Sequence, residues 1–324
     1  MGASRLWRAA VLSLSLLLAA AATASAQEWP AKEPIKVIVP FTAGSATDII
    51  ARAVFSQVSK QIGQSVVVED RGGGGTTIGS AAVAHADADG YTLLVNSTSH
   101  VVVASTYAHL TYNVADDFTA LTGLAVQPFV ATGPTKYKTI ADLVAFGRAH
   151  PGALNYGSNG VGTAGQLFMV KIALDAKITM THVPYRGTAD AMTEIISDRL
   201  DLFPAPVPAM IELAKAGKVS ALAVSTAKRS RYMPDVPTVA EAGLPGAEYN
   251  FWIGAFAPAK TPPQISARIH DEIVKALNSP EVTKEINNLG ADPMPMAMVD
   301  FDAFVRKEIK LNAGIVAAAG IKPE

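Results

Sequence analysis

Ile35-Lys36-Val37-Ile38-Val39-Pro40-Phe41-Thr42-Ala43-Gly44-Ser45-Ala46-Thr47-Asp48-Ile49-Ile50-Ala51-Arg52 decides how this chain reads. Ile35–Pro40 is a short β-branched run bounded by proline, the signature of a buried strand. A small polar turn follows, and from about Thr47 the apolar residues Ile50, Ala53, Val54 and Val58 return at helical spacing. Strand, Gly/Ser/Thr turn, helix is the opening of a βα unit. Outward from it the alternation continues. Ser65–Glu69 and Tyr91–Asn96 read as strands, with a helix around Ile78–His85 between them. Further strand–helix pairs are Ala153–Gly157 with Thr163–Leu174, Ile178–Tyr185 with Thr188–Ser197, and Leu200–Phe203 with Val207–Ala216. Lys218–Ser225 and Glu248–Ala257 are two more strands, and Pro262–Gly320 is mostly helical. Repeated β–α alternation predicts an α/β fold with parallel-rich sheets and right-handed crossovers.

Composition narrows the function. The 324 residues carry 27 Lys+Arg against 28 Asp+Glu, 49% hydrophobic residues and no cysteine. The length suits two domains, each with its own core. Near-neutral charge argues against nucleic-acid binding. Zero cysteine excludes disulfides, thiolate metal sites and a cysteine nucleophile. High apolar content at low net charge excludes disorder. Residues Met1–Ala26 read as a signal peptide: Arg5 and Arg8, an apolar run Ala9–Ala22, and Ala24-Ser25-Ala26 before Gln27. Its removal leaves 25 basic and 28 acidic residues, so the exported chain is slightly acidic. An anionic ligand would have to be held by local features.

Three junctions supply such features: Pro40–Asp48, Asn96-Ser97-Thr98-Ser99, and Gly157-Ser158-Asn159-Gly160-Val161-Gly162-Thr163. Glycine lets backbone approach a ligand, hydroxyls donate, and a helix N-terminus presents unpaired N–H groups and partial positive charge. Together they form a carboxylate receptor that needs no full cation. Two motifs are rejected. Gly160–Gly165 matches G-x-G-x-x-G, but a lone match mid-chain in an exported protein does not indicate a dinucleotide, and Gly72–Gly75 lacks the Lys-Ser/Thr of a phosphate loop. No G-x-S-x-G, no H-E-x-x-H and no histidine pair at ligand spacing occurs, so no enzyme activity, cofactor or metal is expected. Of the six scattered histidines only His100 falls near a polar junction. Asp48 reads as an acceptor that fixes its own loop. Asp190 either selects a ligand amine or caps its helix, and Arg186 either pairs with a carboxylate or lies along the surface.

The chain resembles the Bug-type solute receptors, the periplasmic binding components of tripartite tricarboxylate transporters. The likeness runs through Pro40–Arg52 (P-F-x-x-G-G-x-x-D-x-x-A-R), Glu69–Gly79, Asp89-Gly90-Tyr91-Thr92-Leu93-Leu94, Tyr156-Gly157-Ser158 with Gly160 and Gly162, Thr181–Gly187 (H-V-P-Y-[KR]-G) and Pro234–Gly243. It implies a two-lobed periplasmic binding protein fold, type II-like, each lobe a mixed, mostly parallel sheet flanked by helices around an interlobe cleft. Lobe 1 is expected at residues 27–126 plus 249–324 and lobe 2 at 127–248. It also implies delivery of a small mono-, di- or tricarboxylate, aliphatic or aromatic, to membrane permease subunits, and the protein is expected to be a monomer. The alternative output is presentation of the ligand to a sensor kinase or chemoreceptor. Carried across, the motifs place Phe41, Gly44, Ser45, Thr47 and Asp48 on one side of the ligand. Ser158, Gly160, Gly162, Thr163, Tyr185, Arg186 and Gly187 stand on the other. Thr98 and Ser99 join them from the junction argument, and Asp190 and Ala205 complete the set. Phe41, Tyr185 and Trp252 are candidates for an aromatic wall. Three departures bear on ligand identity: Ser45 stands at the family's second glycine, Asp70-Arg71-Gly72 at its N-R-P, and Pro204-Ala205-Pro206 offers neither donor nor charge.

Overall fold

The computed structural model describes residues 29–185 and 187–323; the expected signal segment and Arg186 lie outside them. The first sheet has six strands in the order β11-β4-β10-β3-β1-β2: β1 Ile35–Val39, β2 Val66–Asp70, β3 Thr92–Ser97, β4 Phe118–Gln127, β10 Phe251–Pro258 and β11 Asp292–Pro293. β1 alternates between the sheet's two faces. Val37 and Val39 enter one core and Ile38 the other. The first core packs under α1 (Ala46–Ile62), α8 (Pro263–Leu277) and α9 (Pro280–Asn288). The second packs under α2 (Thr77–Ala84), α3 (Ser99–Thr106) and α10 (Met298–Ala318).

Lobe 2 holds the antiparallel trio β8-β5-β9 (Phe203–Pro206, Phe129–Gly133, Ser220–Val224) and the parallel pair β6-β7 (Leu154–Ser158, Met180–Pro184). The two groups are linked at Tyr156, beside Leu202, where Gly157 N–H donates to Leu202 O at 2.8 Å. Helices α4 (Ile140–Ala149) and α5 (Ala164–Ala176) cover one face; α6 (Thr188–Ile196) and α7 (Val207–Lys215) cover the other. The sheets are mixed, as expected, but not mostly parallel: the strands that return from the crossings, β10 and β4 in the first lobe and the β8-β5-β9 trio in the second, pair antiparallel. Apart from single parallel bridges of Tyr156 with Leu202 and Val224 with Thr238, parallel pairing among the described strands joins β1 with β2 and β3, and β6 with β7; β11 also pairs antiparallel, with β4.

Two extended segments cross side by side between the sheets, Gln127–Phe129 and Tyr249–Phe251. Phe251 pairs with Gln127, and Tyr249 N–H donates to Ser225 O at 2.8 Å. β4 and β5 carry the first crossing; neither stood out as a strand in the sequence. The strand expected at Leu200–Phe203 forms three residues later. The last helix does not stay with the first lobe: Ile315 and Val316 of α10 enter the core of the second.

Candidate functional site

Between the lobes lies one cleft with an outer chamber of about 670 Å³ and an inner cavity of about 290 Å³, which share Phe41, Gly44, Ser45, Asn159, Thr163 and Thr188. The turn after β1 forms one wall because Ser45 caps α1, its Oγ accepting from Asp48 N–H at 3.2 Å. Asp48 in turn ties the loop down: Oδ2 accepts from Gly44 N–H at 2.8 Å and Oδ1 lies 2.6 Å from Arg52 Nε. Arg52 also reaches Asp70 at 2.7 Å, so the acidic departure at Asp70 is neutralised locally. Burial and the nearby Asp48 raise the Asp70 carboxyl above its usual range. Cap geometry leaves the first N–H groups of α1, at Ala46 and Thr47, without an acceptor among the described residues, and both residues line the inner cavity.

From the opposite lobe, Thr163 caps α5, its Oγ1 accepting from Gln166 N–H at 3.4 Å and donating to Gly160 O at 2.8 Å. Gly165 N–H, in the first turn of α5, likewise has no acceptor among the described residues, and Gly165 lines the inner cavity. A Cβ at Gly165 would sit 2.9 Å from Pro204, so glycine is what lets this helix end approach β8. The first turn of α6, Thr188 and Ala189, closes the outer chamber. Helix N-termini from both lobes therefore face the same space, with the hydroxyls of Ser45, Thr47, Ser97, Ser99 and Thr188 around them. The lobes touch here, Ala164 N–H donating to Ser99 Oγ at 3.3 Å. Among the described residues lining either chamber there is no Asp, Glu, Lys, Arg or His. The body of the inner cavity is apolar: Ile49, Phe129, Pro204, Pro206, Phe251 and Leu289.

Several expected residues sit behind this surface. Thr98 does not line the cleft. It is fully buried, and its Oγ1 accepts from Trp252 N–H at 2.9 Å, pinning α3 to β10, while Ser97 and Ser99 on either side face the cavity. Ser158 is likewise buried, accepting from Gly160 N–H at 3.2 Å, and Gly160 and Gly162 shape the loop without lining the chambers; Asn159 and Thr163 line them instead. Ala205 faces the lobe core, because in β8 the alternation turns Pro204 and Pro206 to the cavity. Asp190 is exposed and Tyr185 half-buried, and neither lines a chamber; Gly187 lines the outer one. Trp252 belongs to the core, with Nε1–H donating to Glu308 at 3.2 Å. The aromatic wall is Phe41, Phe129 and Phe251, the last two with rings 4.8 Å apart. His100 packs between Phe118 and Phe256 in the core, and burial lowers its pKa to about 4. Sequence reasoning missed Gln127, Phe129, Phe251 and Leu289 as cavity residues. The Gln127-Pro128-Phe129 break between two apolar runs was the available signal.

The described residues contain no cluster of His, Cys, Asp and Glu able to hold a metal, and no helix long and apolar enough to cross a membrane. Residues 50–321 match the family described as the tripartite tricarboxylate transporter family receptor, and the chain belongs to that family. A Pseudomonas sp. (strain P51) protein encoded in the tcbD-tcbE intergenic region is 39% identical over 260 residues, 79% of this chain and 77% of the relative. Protein BugT of Bordetella pertussis is 32% identical over 93% of this chain and 94% of its own length, which supports a Bug-type receptor. Two solved structures share the fold. R. palustris Rpa4515 with adipate has a TM-score of 0.84 and 31% identity, covering 92% of this chain and 100% of its own. MatC (Rpa3494) from Rhodopseudomonas palustris with bound malate has a TM-score of 0.81 and 29% identity, covering 88% and 99%. The fold is thus that of a two-lobed periplasmic binding protein, and the family is one of receptors, not enzymes.

Proposed function

We propose that this chain captures a small organic carboxylate in the interlobe cleft and delivers it to the permease of a tripartite tricarboxylate transporter. The observation that carries the reading is the convergence of unpaired helix-terminal N–H groups, Ala46 and Thr47 from one lobe and Gly165 from the other, on a cavity with no charged lining side chain among the described residues. A buried carboxylate costs several kcal/mol unless hydrogen-bonded, and amides at helix N-termini supply both donors and positive potential. A ligand spanning both walls stabilises the closed arrangement over the open one. The related structures with adipate and malate support the ligand class.

The lobes are assigned to residues 27–126 plus 249–324 and to 127–248, with the end of α10 bracing the second lobe. Export to the periplasm follows cleavage after Ala26, and Arg186 meets a second carboxylate where the ligand has one. Calorimetry on unfolded and refolded protein against C4–C6 and aromatic acids is the test. Silence across that panel would refute the reading.

A further inference from the structure

We propose that the ligand is a hydroxycarboxylate whose hydroxyl is accepted by Gln127 Oε1, an inference that rests on the carboxylate reading above. Gln127 ends β4 at the first crossing, is 2% exposed and lines the inner cavity. Its Nε2 donates to Leu289 O at 2.5 Å. A carbonyl only accepts, so this bond fixes which end of the amide is nitrogen. The remaining atom, Oε1, receives no hydrogen bond from any described residue, and its residue lines the inner cavity. An amide oxygen cannot donate. It has nothing to offer a carboxylate, and left facing an apolar ligand it forfeits the bond it had to water.

The surroundings select among donors. Phe129, Phe251 and Leu289 flank Gln127 and hold the apolar body of the ligand, while the helix-terminal amides take the carboxylate. An ammonium would satisfy Oε1 as well. However, no described acidic side chain lines the cavity, and Asp48, the nearest candidate along the chain, is committed to Gly44 and Arg52. A buried ammonium without a counter-charge is costly, whereas a hydroxyl brings a donor and no charge.

Matched pairs test this by calorimetry on refolded protein: malate against succinate, and mandelate against phenylacetate. The expected result is a preference of about tenfold for the hydroxylated member of at least one pair, the usual consequence of leaving a buried acceptor unpaired. Aspartate should bind more weakly than malate. In Gln127→Met the hydroxyl preference should fall to near unity, and Gln127→Asn, which withdraws the amide by one methylene, gives the same comparison should the methionine variant not fold. Carboxylate binding with no hydroxyl preference, a preference that survives both substitutions, or aspartate binding more tightly than malate would each overturn the assignment while leaving the carboxylate reading intact. Failure of every carboxylate to bind overturns both.

Discussion

His182 Nε2 lies 2.7 Å from Ser158 Oγ, while Gln166 Nε2 approaches the other ring nitrogen, Nδ1, at 3.3 Å. Gln166 Oε1 accepts from Gly162 N–H at 2.8 Å, so its nitrogen faces the imidazole and Nδ1 is an acceptor. The ring proton is therefore on Nε2 and points at Ser158, the tautomer opposite to the one that activates a serine nucleophile. The chain of bonds runs Gly162, Gln166, His182, Ser158, Gly160. It ties both ends of the third junction's loop to β7.

Replacing His182 with Phe keeps a ring to stack on Tyr156, whose centroid is 4.9 Å away, and removes both ring hydrogen bonds. Ser158 and Gln166 are then left short of partners in a buried setting, at about 1–3 kcal/mol. Ligand affinity should fall by roughly tenfold as the loop loosens. Affinity equal to wild type in calorimetry would show that the loop holds its shape without the histidine.

Acid should weaken the fold in a defined window. Burial lowers both His182 and His100 to about 4, against 6.5 when unfolded. The native state binds these protons later than the unfolded chain, so the contribution is intact above pH 6.5 and drains away as pH falls towards 4. For the fully buried His100 the loss is on the order of 3 kcal/mol. Urea denaturation at pH 7, 5.5 and 4 measures it, and His100→Phe should flatten the profile. An unchanged slope in that variant contradicts the assignment.

The turn-and-helix unit at residues 35–52 was legible because the strand's β-branched run and the helix's period flank a turn whose capping chemistry is local. β4 was not: it is buried along nearly all its ten residues, so no polar alternation marks it. Site loops were legible as Gly/Ser/Thr junctions, but not which of their residues face the ligand. Thr98 turns inward while Ser97 and Ser99 face the cavity, a choice set by the pairing of β3 with β10. The apolar back wall was illegible for a different reason. Gln127 with Phe129, Phe251 and Leu289 come from three segments far apart in sequence, brought together only by the double crossing and α9.

Gly75 tests lobe closure. Its φ is +58°, and a Cβ there would lie 2.6 Å from the Tyr107 hydroxyl and 3.0 Å from Val161 O of the other lobe. Gly75→Ala should strain the turn and hold the lobes apart, lowering carboxylate affinity and reducing the compaction seen by small-angle scattering on ligand addition. Full compaction with unaltered affinity would place closure elsewhere.

Thr47 is 2% exposed, and its hydroxyl has no protein partner among the described residues. Thr47→Val keeps the shape and deletes the donor, so thermal stability without ligand should stay within about 1 kcal/mol, while affinity drops several-fold. An equal loss of both would mean that the hydroxyl serves the fold and not the ligand.

Asp48 separates loop anchoring from direct ligand contact. Its carboxylate holds Gly44 N–H and Arg52, and it does not line either chamber. Asp48→Ala frees the Gly44 end of the turn and leaves Arg52 with Asp70 alone, so stability should fall by about 1–3 kcal/mol and ligand affinity with it. Asp48→Asn keeps an oxygen able to accept from Gly44 N–H while removing the negative charge. If the residue acts by anchoring, asparagine restores most of the affinity that alanine loses. If instead its charge acts on the bound anion, asparagine should bind carboxylates more tightly than wild type with no change in melting temperature. The comparison of the two variants by calorimetry and thermal unfolding decides between them, and the geometry favours anchoring because both carboxylate oxygens are already engaged within the loop and its helix.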